Sequence, residues 1–160
     1  MKHGFRIAAL SFVVMIVGCG GPTESPESTE ALLQQITSGQ ANAVSLSEVA
    51  EILALGGKST DVQREQLTKD LVGSVVEWKI QVYDISVSDD VYNVVSQPLP
   101  AQDPDAYNLL HVLATVVPKS EHDHSVLRSA KTGDMLTVKG VVKDVVMRAA
   151  ITISPAILVE

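Results

Sequence analysis

Cysteine is the scarcest chemistry in this chain. Of 160 residues only Cys19 carries a thiol, which rules out a disulfide within the molecule. Aromatic side chains are few, at 4%. Phe5 and Phe12 both fall near the N-terminus, so Trp78, Tyr83, Tyr92 and Tyr107 are the aromatics beyond residue 18. So few rings offer few platforms on which bases could stack. Positive charge is short as well, with 12 Lys and Arg against 19 Asp and Glu, a formal net charge of −7. Phosphate contacts are made chiefly by Lys and Arg, so nucleic acid is not an expected partner. No G-x-S-x-G elbow and no H-E-x-x-H helix occurs, and no spacing of Ser, His and Asp selects a triad. Gly57-Lys58-Ser59 looks like the end of a phosphate-binding loop, but that motif needs glycine where Ile52 stands. The chain does not read as an enzyme, and no cofactor is expected. No internal repeat is visible.

What is present begins with an address. Lys2 and Arg6 precede an apolar run from Ile7 to Val17, then Gly18 and Cys19, the layout of a secretory signal peptide over residues 1–18. The run is too short for a transmembrane helix, which needs roughly 20 apolar residues. Ile16-Val17-Gly18-Cys19 resembles the lipobox of bacterial lipoproteins. That resemblance implies lipid attachment at Cys19, cleavage before it and a membrane-held N-terminus carrying palmitate-like acyl chains. Several chains anchor stably, because each buried methylene contributes about 0.8 kcal/mol and one chain alone is marginal. Cleavage removes Lys2 and Arg6 and leaves 10 basic against 19 acidic side chains, or −9. Gly20-Gly21 lacks the Asp that resembles an inner-membrane retention signal. The expected place is therefore the cell envelope, on the periplasmic side of the outer membrane where the cell has two membranes.

Residues 19–28 then read as a flexible tether, since Gly20 to Ser28 is small, polar and proline-containing. Residues 29–70 carry helical signals. Thr29 to Ile36 favours a short helix. Ser45 to Leu55 places Leu46, Val49, Ala50 and Leu53 on one face, with Gly56-Gly57 as its stop. Thr60 and Gln63 have capping-box spacing and open a helix to about Leu71, with an apolar stripe of Val62, Leu67 and Leu71.

From Leu71 the period changes to two. Leu71 to Val87 is a long strand candidate in which Val76, Trp78, Ile80 and Val82 share one face. After Tyr83 the apolar positions slip to Ile85 and Val87, the signature of a bulge or bend. A strand this long can pair with two partners. The turn Ser88-Asp89-Asp90 leads to a strand over Val91 to Ser96, a polar loop over Gln97 to Tyr107, and a strand over Asn108 to Val117 that is apolar on both faces. A short helical signal at Ser125 to Ala130 precedes a strand over Met135 to Val146 and a last one over Ile151 to Val159. Within that last strand Pro155 implies an edge or a bulge. The order predicts a mainly β fold: a small five-stranded Greek-key barrel of the OB type over residues 71–160, preceded by two or three short α-helices.

Leu71-Val72-Gly73 with Val76-Glu77-Trp78, and Gly133-Asp134-Met135-Leu136-Thr137-Val138-Lys139-Gly140, resemble motifs of the bacterial OB-fold lipoprotein family called tRNA_anti-like. The resemblance covers roughly Leu71 to Glu160. It implies the barrel, and it implies no activity.

Three groups of residues are candidates for function. OB barrels bind on the outer face of strands two and three, between the first-to-second and fourth-to-fifth strand loops. Tyr83, Tyr92 and Arg148 fall beside those loops and would grip a planar or anionic group, whether a small ligand or part of an envelope protein. In the blander reading the tyrosines are a cross-strand pair and Arg148 is solvated. His122-Asp123-His124, with His111 and Glu121, concentrates metal-ligand types, although His-x-His in a polar turn is usually just solvated. Asp89-Asp90 and Asp103-x-Asp105 lack the glycine turn and further carboxylate of a calcium loop, so no metal is expected there either. The main expectation is a membrane-anchored, non-catalytic binding or adaptor module. The competing one is a small metal-binding or hydrolytic envelope protein using His122 and His124.

Cys19→Ser removes the acylation site and is expected to move the protein from the detergent phase to the aqueous phase in phase partitioning. Unchanged partitioning would show that the lipobox is not read.

Overall fold

The computed structural model describes residues 26–101, 103 and 105–159; the expected signal peptide, Cys19 and most of the expected tether lie outside the described residues. Three helices come first: α1 (Pro26–Ser38), α2 (Leu46–Leu53) and α3 (Asp61–Leu71). α1 starts inside the segment expected to be tether, with Pro26 in its first turn, where a missing N–H costs nothing. Ser45 caps α2 by accepting from the Glu48 N–H. Thr60 and Gln63 form the expected capping box on α3. The stripe expected on α3 is shorter than its sequence suggests. Leu67 and Leu71 are buried, but Val62 is 76% exposed, so the apolar stripe is confined to the C-terminal half of the helix.

The barrel is built from β1 (Val75–Ser88), β2 (Val91–Ser96), β3 (His111–Val116), β4 (Met135–Val146) and β5 (Ala150–Val159), closed in the order β1-β2-β3-β5-β4. Only β3 and β5 run parallel; every other pair is antiparallel. With α4 (Glu121–Ser129) between β3 and β4, this is the OB arrangement. The first strand starts later than expected. Leu71 still belongs to α3, and Gly73, with φ +83, turns the chain before Val75.

β1 alternates as its sequence predicts, with Val76, Trp78, Ile80 and Val82 no more than 3% exposed. From Val75 to Gln81 it pairs with β4; from Val82 to Ser88 it pairs with β2. The register shifts between Val82 and Asp84, so Tyr83 is the bulge residue. Beyond it Ile85 packs against the core, whereas Val87 lies past the barrel end and is 63% exposed. Asp89 and Asp90, at φ 50 and 63, form a two-residue turn whose twist matches a hairpin. These two aspartates are turn residues.

The helices and the barrel share one core: Val49, Leu53, Leu67 and Leu71 pack in the same cluster as Val76, Trp78 and Val138. Polar contacts fix the docking. The Trp78 indole N–H donates to the Val44 carbonyl at 3.0 Å, and the Asn108 amide donates to the Ala50 carbonyl at 2.9 Å. Leu55 and Tyr107 exchange backbone hydrogen bonds of 3.0 and 3.1 Å. α2 ends before the expected Gly56-Gly57 stop, at the C-cap Ala54, and beyond it Lys58 pairs with Asp103 at 3.3 Å. Asp103 also accepts from the Asp105 N–H, and this bond, then Lys58, holds its carboxyl below the usual carboxylate range.

Two glycines of the Gly133-to-Gly140 segment have separate reasons. Gly133 sits at φ +97 in the turn before β4. Gly140 faces the irregular part of β5, where Ser154 and Pro155 have no register partner on either side. Because β5 lies between β3 and β4, Pro155 marks a bulge and not an edge. A Cβ on Gly140 would stand 2.5 Å from the Pro155 carbonyl oxygen and 2.8 Å from the Ala156 Cα. Backbone atoms cannot swing aside as a side-chain tip can. Gly140→Ala is therefore expected to lower unfolding stability by about 1–3 kcal/mol. A urea midpoint equal to that of the parent would contradict this packing.

Candidate binding site

The change of partner along β1 leaves a gap. The β1–β4 ladder ends at Gln81 opposite Met135. The connection before β4 then continues it, through Val82 N–H to Asp134 O and Gly133 N–H to Val82 O, each 2.8 Å. The Thr132 hydroxyl donates to the Tyr83 carbonyl at 2.8 Å and makes the last tie. Past that point β1 has β2 on one side and, on the other, a hollow of about 250 Å³ beneath the C-terminal end of α4. Its walls include Tyr83, Ile85, Val87, Tyr92, Leu127 and Arg128.

The three residues expected to act together are separated. Tyr83 stands 55% exposed on the rim. Tyr92 is 3% exposed and forms the hollow's inner wall, its hydroxyl 3.0 Å from His124 Nδ1 and its ring edge-on to that imidazole at 5.7 Å. In register Tyr92 sits opposite Val87, so the tyrosines are not a cross-strand pair. Arg148 lies elsewhere. With Met147 it makes the β4–β5 turn, at φ 58 and 47, and it lines a different hollow beside Asp61, Arg64 and Glu65 of α3. The arginine that lines the hollow with the tyrosines is Arg128, in the last turn of α4, and it has no ion pair among the described residues. Sequence offered no signal for Arg128, because only the docking of α4 against the bulge brings it there.

The histidines occupy a helix where a polar turn was expected. α4 starts at Glu121, capped by Ser120, whose hydroxyl accepts from the Asp123 N–H at 3.2 Å. Ser120-x-x-Asp123 was the signal for that start. Burial pushes the Asp123 carboxyl up, but hydrogen bonds from the Lys119 N–H and Ser120, with the charges of Lys119 and His122, bring it below its usual range. On a helix, residues two apart do not face one another. His124 accordingly turns to Tyr92, while His122 is exposed beside a separate groove with Lys79 and Met135. His111 Nδ1 lies 2.9 Å from the Ser96 carbonyl. Among the described residues no group of three His, Cys, Asp or Glu is arranged to hold a metal ion.

The outer face of β2 and β3 is also on view. One row across the sheet runs Asp84, Val95, Leu113, Thr152; the next runs Ser86, Asn93, Thr115. These rows hold no lysine, arginine, tyrosine or tryptophan.

No protein-family model matches the chain. No curated protein matches it. Among solved structures, a lipoprotein from Klebsiella pneumoniae to which nucleic-acid binding is provisionally ascribed is 14% identical, covering 79% of this chain and 97% of that one, with a TM-score of 0.44. The aspartyl-tRNA synthetase of Entamoeba histolytica is 13% identical over 60% of this chain and 20% of its own length, at TM-score 0.38. The OBody AM3L15, solved bound to hen egg-white lysozyme, is 18% identical over 60% of this chain and 90% of that one, at 0.34. At these identities and scores none of them assigns a ligand or an activity to this chain. The class rests on the chain's own topology: a closed five-stranded OB-type barrel with helices ahead of it.

Tyr92 separates wall from grip. Tyr92→Phe keeps the ring and is expected to cost about 1 kcal/mol for the lost hydroxyl contact. Tyr92→Ser empties the wall and is expected to cost about 3–5 kcal/mol. Equal melting temperatures for Tyr92→Ser and the parent would place the ring outside the core.

Proposed function

We propose that this chain is a lipid-anchored, non-catalytic binding module of a bacterial cell envelope. It is held to the membrane through Cys19 and takes its ligand in the hollow between the β1 bulge and α4. The observation that carries the reading is that the exposed Tyr83 and Arg128, which has no ion pair among the described residues, line one hollow beside an otherwise closed barrel. A ring and a guanidinium together hold planar or anionic groups by stacking and charge-assisted hydrogen bonds.

Nucleic acid is disfavoured as the ligand by the rows over β2 and β3, which offer neither a cation for phosphate nor a ring for a base. What weighs against a hydrolytic or metal-binding role is the separation of His122 from His124 on α4. The membrane assignment draws its support from the lipobox, and no helix among the described residues is long and apolar enough to cross a membrane.

The test places a photo-cross-linking amino acid at Tyr83, and separately at Thr152 on the outer face, in full chains expressed in bacteria. Adducts are expected from position 83 and not from position 152. Adducts from position 152 alone would move the site to the outer face, and none from either would remove the binding reading.

A further inference from the structure

The hollow has a wall made of main chain. The two-residue turn Asp89-Asp90 makes Ser88 and Val91 the hydrogen-bonded closing pair of the β1–β2 hairpin. In an antiparallel ladder such pairs alternate, so Ser86 and Asp84 also direct their N–H and C=O groups toward β2. The groups of Ile85 and Val87 therefore point the other way, toward the hollow. Neither residue has a hydrogen-bond partner there among the described residues. Two donors and two acceptors stand in line at strand spacing, beside open space.

We propose that this free edge of β1, Asp84 to Ser88, binds an extended peptide segment of a partner protein by adding it to the barrel as a further strand. This rests on the hollow being the ligand site. It deepens that reading by naming the ligand class. Unpaired strand edges are templates for this mode of recognition, in which main-chain bonds supply affinity and alternate side chains supply selectivity.

The surroundings define the segment. Val87, 63% exposed, and Ile85 lie on the hollow side of β1, with Leu127 beneath them, so every second residue of the segment is apolar. Charge changes along the edge. Arg128 lines the hollow and Asp89 and Asp90 form the turn that ends the edge, so an acidic residue of the segment suits the first and a basic residue the second. The bulge at Tyr83 and the charge on Asp84 keep the edge short. Such devices guard natural sheets against indiscriminate extension, and here they limit pairing to about five residues.

The test uses the full chain in detergent and a phage-displayed library of random linear dodecapeptides. Enriched peptides are expected to alternate apolar and polar residues and to carry both an acidic and a basic residue. On binding one, the amides of Ile85 and Val87 should exchange with solvent at least tenfold more slowly, while that of Ser86, already paired to β2, stays unchanged. Val87→Pro deletes a donor that the β2 ladder does not use, and proline is tolerated on such an edge. It is expected to weaken peptide binding at least tenfold with little change in melting temperature, whereas Val87→Ala, which keeps the N–H, weakens it less than threefold. Equal binding by Val87→Pro and the parent overturns strand addition even where cross-linking from Tyr83 succeeds, and the hollow then serves another ligand. A dimer of the free protein that Val87→Pro dissolves also overturns it, because the edge then belongs to a second copy. Failure of both the peptides and the Tyr83 cross-link removes the site itself.

Discussion

One strand with two allegiances organises this molecule. β1 closes the barrel by pairing with β4 along its first half and with β2 along its second, and the bulge at Tyr83 is where it changes partner. A continuous regular strand would keep one register and stay nearly straight. The extra residue bends it, so that the same chain turns the corner a small closed sheet needs. The gap beyond the bulge is the geometrical remainder of that closure, since β4 has left and no strand among the described residues replaces it. The candidate site and the closure of the fold thus have one cause.

The helices finish the barrel from one end. Val49, Leu53, Leu67 and Leu71 complete a core that the five strands leave open. Trp78 belongs to both parts: its ring lies among barrel residues while its N–H reaches the Val44 carbonyl ahead of α2. A buried indole N–H without a partner costs about 1–3 kcal/mol, so the helical segment satisfies the barrel as well as covering it. The residues before and after Leu71 are consequently one cooperative unit. The connection between β2 and β3 is anchored in the same way, through Leu55 with Tyr107 and Asn108 with Ala50.

Polar groups near the hollow divide into those already satisfied and those left over. Tyr92 and His124 satisfy each other, Thr132 is tied to the Tyr83 carbonyl, and Ser120 caps α4 while the Asp123 carboxylate accepts from the Lys119 N–H. Among the described residues, Arg128, the Tyr83 ring and the backbone of Ile85 and Val87 are the remainder. A folded protein pairs most of its buried polar groups within itself. What it leaves unpaired at the rim of a hollow is the better guide to what it binds.

The alternation of Val76, Trp78, Ile80 and Val82, and its slip after Tyr83, determined the long bent strand, because side chains on a strand have a strict period of two and a bulge must break it. Thr60 with Gln63, Ser45, and the Asp89-Asp90 turn set their boundaries for equally local reasons. The strand order followed from these elements and the single helix between β3 and β4. The resemblance of Ile16 to Cys19 to a lipobox is legible only in sequence, since Cys19 lies outside the described residues. Tertiary structure alone decided the rest. It buried Tyr92, sent Arg148 to α3 and put Arg128 beside the tyrosines, because which cation reaches a given ring depends on how α4 docks across the barrel end. It also split His122 from His124, because both fall within α4, and a helix turns residues two apart to different faces. Local periodicity names the elements; long-range closure of the sheet determines which side chains meet.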